Sequence, residues 1–232
     1  MIKFAAVVVA AGAGERMGGG IRKQYLELEG RPILARSLEL FLDHPSADEV
    51  IAVIPAGDEK IVRDLLRPHF APEKVKLAAG GATRQESVGK GLEALTAESR
   101  LVCIHDAARP LASKTLLESL LEAAIHHGAA VPVITPGDTV KEVGRDSFIL
   151  STPARAMLRL AQTPQVFERG LIVRAYRKAA EENREATDDA SLVECLGEPV
   201  ITVPGERSNL KITTPHDLAL ASILLKGADR NR

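Results

Sequence analysis

Residues Val7–Leu26 read VVVAAGAGERMGGGIRKQYL. A valine-rich run passes directly into glycines, and the glycine segment carries Arg16, Arg22 and Lys23 with only Glu15 as a nearby acid. Phe4–Ala10 is a short continuous apolar stretch, as expected for a strand buried on both faces of a sheet. The loop after it presents backbone N–H groups that can face phosphate. Two phosphate motifs fail here. Met17 stands where the third glycine of G-x-G-x-x-G belongs, and a P-loop counted from Gly14 reaches Gly19 but continues with Gly20 and Ile21 instead of Lys and Ser/Thr. The residues alone leave two readings: a phosphate loop, or a strand-to-helix turn with solvated charges.

Outward from that loop the chain alternates between strand and helix patterns. Pro32 opens a helix through Leu34, Leu38 and Phe41, and EVIAVIP (49–55) reads as a second strand. Asp58 caps a helix with Ile61, Val62, Leu65 and Leu66 inside. Val75–Ala78 is a third strand, Arg84–Leu95 a helix, Leu101–His105 a fourth strand, Ser113–His127 a helix and Ala129–Ile134 a further strand. This alternation predicts a mostly parallel sheet with helices on both faces. After Thr135 the rhythm breaks. Thr139–Val143 and Ser147–Leu150 read as two short strands around a turn at 144–146, a hairpin excursion that suits a lid or a dimerisation arm. Helices at Arg169–Glu182 and Ala190–Leu196, a strand at Val200–Val203 and a closing helix at Pro215–Lys226 complete the pattern.

Composition limits what such a domain can do. The chain has 232 residues, 45% of them hydrophobic, enough for a sizeable core. Aromatics are 3% and Trp is absent, which disfavours a base-stacking platform for single-stranded nucleic acid. The net charge of -1 provides no global field toward nucleic acid or an anionic membrane, so an anion site has to be local. Cys103 and Cys195 share no C-x-x-C pattern and read as small buried hydrophobes in a reducing compartment. No stretch reaches the roughly 18 apolar residues of a membrane span, and the N-terminus lacks the pattern of a signal peptide, so a cytoplasmic location is expected.

In open α/β sheets ligands bind beyond the carboxyl ends of the strands. The unusual loops AAGAGERM, GGATR and HDAARP all follow strands, so they converge on one edge. Here the motifs become specific. AAGAGERM followed by KQYL resembles the signature loop of the sugar-phosphate nucleotidyltransferases. GGATRQESV (Gly80–Val88), HDAARP (His105–Pro110), QTPQ (Gln162–Gln165), TDDAS (Thr187–Ser191) and NLKITTPHDL (Asn209–Leu218) resemble, in order, one branch of them, the 2-C-methyl-D-erythritol 4-phosphate cytidylyltransferases. One departure is Arg22, where members of that family often have Pro.

The resemblance implies a Rossmann-like α/β fold in one domain over 1–232, with a projecting β-hairpin arm at about 137–155 that makes a homodimer. It implies transfer of a cytidylyl group from CTP to a sugar-alcohol phosphate, with Mg²⁺ held mainly by the nucleotide phosphates and Asp106 as its one candidate protein ligand. Cations and fixed N–H donors are the catalysts such a reaction needs, because charge builds on phosphorus and the leaving pyrophosphate. Arg16, Lys23 and Lys211 take that role by resemblance. The nucleotide is assigned to Ala11, Gly12, Ala13, Gly14, Gly80, Gly81, Arg84, Ser87, Asp106 and Ala107, and the acceptor phosphate to Thr139, Arg155, Thr163 and Thr187. Thr139 and Arg155 would come from the partner subunit.

Alternatives stand beside several of these. Ser87 could face solvent at a helix N-terminus, Asp106 could cap the next turn, and Thr187 could be the N-cap of the helix at Ala190. A metal pair at Asp188–Asp189 is the weaker reading there. His105 reads as structural and Arg109 as a loop brace. A cytidylyltransferase for another acceptor, such as ribitol 5-phosphate, is the nearest alternative function. A nucleotide-binding protein without turnover is a different class, disfavoured by the presence of Arg16, Lys23 and Lys211 together.

Overall fold

The structure is a computed structural model that describes residues 2–12 and 22–229. Along the chain the strands are β1 (Phe4–Val9), β2 (Glu27–Leu28), β3 (Arg31–Pro32), β4 (Ala47–Ile54), β5 (Lys76–Ala79), β6 (Leu101–Asp106), β7 (Ala129–Ile134), β8 (Glu142–Val143), β9 (Ile149–Ser151), β10 (Leu160–Ala161), β11 (Gln165–Glu168) and β12 (Ile201–Pro204). The helices are α1 (Ile33–Leu42), α2 (Glu59–Leu66), α3 (Arg84–Glu93), α4 (Lys114–His127), α5 (Arg169–Glu181), α6 (Asp189–Glu194) and α7 (Pro215–Asp229).

β1 lies in the middle of the main sheet, parallel to β4 on one side and β6 on the other, because all of FAAVVV can be buried. Its side chains alternate between two cores. Phe4, Ala6 and Val8 pack with residues of α1, α2 and α4, and Ala5 and Val7 pack with residues of α3, α5 and α6. β5 extends the parallel half beyond β4. The sheet is mostly parallel, as expected, and its antiparallel pairs lie in the other half. β11 inserts antiparallel between β6 and β7, β10 pairs antiparallel with β7, and β12 pairs parallel with β7. Val166 and Phe167 of β11 are fully buried, one in each core. A four-residue strand directly after a proline carries too little periodicity to show in the sequence.

Close approach fixes α3 against the sheet. A Cβ on Gly91 would come within 2.5 Å of Val7 Cγ1 and 2.8 Å of Val53 Cγ2. Thr83 caps α3 by accepting from Glu86 N–H, and Ser113 caps α4 by accepting from Leu116 N–H. Gly128 ends α4 in the left-handed region at φ 82°.

The hairpin exists, shorter and shifted from its predicted bounds. β8 and β9 form a separate two-stranded ribbon, closed by a bond from Gly144 N–H to Phe148 O. Val143, Phe148, Ile149 and Leu150 on it are exposed. Among the described residues no helix is long and apolar enough to cross a membrane. Cys103 is buried as expected, but Cys195 is exposed, at the C-cap of the short α6.

Candidate active site

The carboxyl ends of β1 and β6 and the loop before α3 open onto a cleft of about 510 Å³. Ala11, Gly12, Lys23, Gly81, Arg84, Ser87, Asp106, Ala107 and Lys211 line it, so the structure brings together most of the predicted nucleotide and catalytic residues. Ala13, Gly14 and Arg16 lie outside the described residues.

The floor of the cleft is an ionic chain. Arg84 Nε donates to Asp106 Oδ1 at 2.8 Å, and its Nη1 and Nη2 donate to the two oxygens of Asp189 at 3.1 and 2.8 Å. Lys211 Nζ lies 2.7 Å from Asp106 Oδ2. Tyr176 Oη donates to Asp189 Oδ1 at 2.5 Å from behind. Asp189 is fully buried and Asp106 is 7% exposed, so each carboxylate depends on these partners for its charge. Burial alone would raise the Asp106 carboxyl, but Arg84 and Lys211 hold it well below the usual carboxylate range. The Arg84 guanidinium, despite its burial, is held charged by Asp189 and Asp106. The sequence motifs did not point to Tyr176, and they offered Asp189 only as half of a metal pair, not as the buried partner of Arg84. The clue was an acid inside a helix whose neighbours, Ala190, Leu192 and Val193, are apolar.

The two glycines after β5 are required by space. A Cβ on Gly80 would meet Ala11 Cβ at 2.3 Å and Ser87 Oγ at 2.9 Å, and one on Gly81 would meet Glu86 Cβ at 2.4 Å. Ser87 is 2% exposed, which removes the solvent-facing alternative. Its Oγ accepts from Gly81 N–H at 3.0 Å and donates to Thr83 O at 2.8 Å. The hydroxyl therefore shapes the loop.

Thr163 sits beneath the cleft. Its Oγ1 accepts from Asp106 N–H at 3.0 Å and lies 3.1 Å from His105 Nδ1. His105 Nε2 is 3.1 Å from Arg109 O, and burial lowers this imidazole to about 4. A neutral ring donating from Nε2 and accepting from Thr163 at Nδ1 satisfies both bonds. His105 is thus structural, as expected, and Thr163 supports Asp106. The segment carrying Lys211 is clasped in turn. Gln162 Nε2 donates to Glu206 O and Asn209 O, Arg109 Nη1 donates to Asn209 O at 2.8 Å, and Ile212 N–H donates to Ala108 O at 2.8 Å. Arg109 is a brace, as read.

Other residues are not brought to the cleft within this chain. Thr139, Arg155 and Thr187 are exposed and do not line it. Arg155 Nη1 donates to Gly137 O at 3.1 Å at the root of the arm. The N-cap of α6 is Asp188, which accepts from Ser191 N–H, and not Thr187. The Asp188–Asp189 pair is also no metal site. Asp188 is spent on the cap and on Gln165, and Asp189 on Arg84 and Tyr176. Among the described residues no group of three or more His, Cys, Asp or Glu side chains could hold a metal.

A cleft at the carboxyl ends of parallel strands, lined by Gly12, Gly81, Lys23, Lys211 and a charge-locked Asp106, has the donors and cations that nucleotidyl transfer requires. The model of the 2-C-methyl-D-erythritol 4-phosphate cytidylyltransferase family matches residues 4–227. The protein of that name from Symbiobacterium thermophilum is 44% identical over 225 residues, covering 97% of this chain and 94% of that one. The crystal structure of 4-diphosphocytidyl-2C-methyl-D-erythritol synthase from Anaerococcus prevotii superposes with a TM-score of 0.85 at 34% identity, over 97% of this chain and 96% of that one. That of the Thermus thermophilus cytidylyltransferase gives 0.79 at 36% identity, over 97% and 100%. The chain belongs to the 2-C-methyl-D-erythritol 4-phosphate cytidylyltransferase family.

Proposed function

We propose that this chain joins CTP to 2-C-methyl-D-erythritol 4-phosphate, giving 4-diphosphocytidyl-2-C-methyl-D-erythritol and pyrophosphate in non-mevalonate isoprenoid biosynthesis. The observation that carries the reading is the convergence of Lys23, Asp106 and Lys211 on one cleft at the end of β1 and β6. A phosphate oxygen of the acceptor attacks the α-phosphorus of CTP, the new O–P bond forms, and the bond to the β-phosphate oxygen breaks with its electrons leaving on pyrophosphate. The attacking oxygen is already anionic, so no strong base is needed. Lys23, Lys211 and, by resemblance, Arg16 hold the triphosphate and oppose the charge that builds on it. Lys211 exchanges its Asp106 partner for nucleotide oxygens as CTP enters. Gly80, Gly81 and the α3 N-terminus receive the cytosine side.

Mg²⁺ fits this site as an ion brought on the nucleotide. Asp106 is an ionised carboxylate of the cleft, but both its oxygens already hold cations, so the described residues alone offer no ligand set. When bound, the ion neutralises triphosphate charge.

The arm is read as the dimer contact. Phe148, Ile149, Leu150 and Met157 expose apolar surface that a second copy of the chain would cover. That second copy would bring Thr139 and Arg155 to the acceptor phosphate, with Thr187 alongside. The whole chain acts as one nucleotidyltransferase domain, in the cytoplasm.

The test is pyrophosphate release from CTP with a panel of sugar-alcohol phosphates. 2-C-methyl-D-erythritol 4-phosphate is expected to give the highest kcat/KM. A higher value for ribitol 5-phosphate would overturn the acceptor.

A further inference from the structure

Arg22 has no counterpart in the chemistry above. It is the residue at which the described chain resumes after the glycine loop, one position before Lys23. Its Nε lies 2.9 Å from Asp58 Oδ2. Tyr25 Oη donates to the same oxygen at 2.8 Å. Asp58 occupies the N-cap position of α2, yet its side chain makes no capping bond. An aspartate there ordinarily accepts from the first turn of its own helix. Here the carboxylate is turned instead toward the segment entering the cleft. Burial and the Asp58 carboxylate raise the Tyr25 phenol, which keeps it a donor.

Between these two anchors the segment is a tight turn. Tyr25 N–H donates to Arg22 O at 2.9 Å and Leu26 N–H to Lys23 O at 3.2 Å. Gln24 points the opposite way, and its Nε2 donates to Ala10 O at 2.6 Å and Gly12 O at 3.1 Å at the end of β1. Residues 22 and 25 therefore tie the turn to α2, and residue 24 ties it to β1. Lys23 lies between the two ties, with Nζ 3.3 Å from Ile212 O on the segment that carries Lys211.

We propose that the clasp of Arg22 and Tyr25 on Asp58 positions Lys23, making Asp58, which does not line the cleft, a positioning residue for CTP. This rests on the reading of Lys23 as a triphosphate cation. Arg22 is about one-third exposed, so the ion pair contributes little to global stability. Its consequence is local: it fixes where a lysine ammonium stands, and a small misplacement of a positioning group costs rate.

The test is a double-mutant cycle of Arg22→Ala and Asp58→Ala, with Tyr25→Phe alongside. Asp58→Ala spares α2, whose cap does not use the side chain. Each single variant is expected to lower kcat/KM for CTP roughly threefold to fivefold, leave KM for the acceptor phosphate unchanged and keep the melting temperature near wild type. The double variant is expected to be no worse than Asp58→Ala, because Asp58→Ala already removes the Arg22 contact along with that of Tyr25. Tyr25→Phe is expected to fall between wild type and Asp58→Ala. Wild-type kcat/KM for CTP in Asp58→Ala would overturn the proposal. So would additive losses in the double variant, or an equal loss for both substrates accompanied by a lowered melting temperature. Lys23→Ala separates the two levels of the argument. If that variant keeps wild-type activity, the reading of Lys23 fails. If it is crippled while Asp58→Ala is not, the clasp alone fails.

Discussion

In the cleft, Arg84, Asp106, Asp189 and Lys211 satisfy one another within a single chain, and Tyr176 closes the set from behind. On the arm, Phe148, Ile149 and Leu150 stand 70%, 60% and 65% exposed. The described part of one region is paired within the chain, and the other presents apolar side chains to water. The difference separates the two substrates. Among the described residues, Arg84, Asp106 and Lys211, all assigned to CTP, are held by contacts within this chain. Two of the groups assigned to the acceptor, Thr139 and Arg155, sit on or beside the surface that a second copy would cover. The cleft should therefore respond to single substitutions like a rigid network, and the arm should respond to mixing of chains.

The sharpest break is at the cations. Lys23→Ala is expected to lower kcat by roughly 10²–10³, the loss seen when one transition-state donor is removed. Folding should change little, since Lys23 is not in either apolar core. Steady-state turnover beside a melting curve checks both. Turnover near wild type would mean that the cleft binds nucleotide without Lys23.

A smaller effect probes whether the cleft is one network. Tyr176→Phe removes a single oxygen that bonds Asp189 and does not line the cleft. Without that bond Asp189 draws harder on Arg84, and Arg84 holds Asp106 less firmly, so Asp106 draws harder on Lys211. A bond to a buried charge contributes about 1.5–3 kcal/mol. If about half of that reaches Lys211, kcat/KM for CTP falls roughly fourfold to twelvefold. A lowered melting temperature with unchanged kcat/KM would show instead that Tyr176 supports only the packing of α5 on α6.

The same contrast explains what the sequence could reveal. β1 was legible because six apolar residues in a row admit few readings, and the cleft loops were legible because glycine pairs and cations follow strand ends. β11 was not, because QVFE is too short to show a period and its burial is decided by β6 and β7 on either side. Thr163 was assigned to phosphate from the QTPQ motif, but its hydroxyl is used by Asp106 N–H and His105. Tyr176 escaped notice, and Asp58 was read only as a helix cap, because their contacts lie 13 and 33 residues away in sequence. A hydroxyl or carboxylate in a pattern says that a bond will be made, and tertiary structure decides with whom.

The smallest expected number tests the arm. If the arm of one subunit completes the partner's acceptor pocket, Lys23 and Arg155 in any one site belong to different chains. A Lys23→Ala homodimer then has no working site, and neither has an Arg155→Ala homodimer. When equal amounts are unfolded and refolded together, about half the dimers are mixed. A mixed dimer has one site carrying both lesions and one carrying neither. Activity should recover to about a quarter of wild type, by the statistics of a symmetric dimer. A pocket built within one chain gives no recovery, because each lesion then disables its own subunit's site. The measurement needs nearly dead parents and wild type refolded in parallel to set the yield. With those controls in hand, a mixture that stays dead would place Arg155 in the site of its own chain. The exposed apolar ribbon of β8 and β9 would then need an occupant other than the one assigned to it.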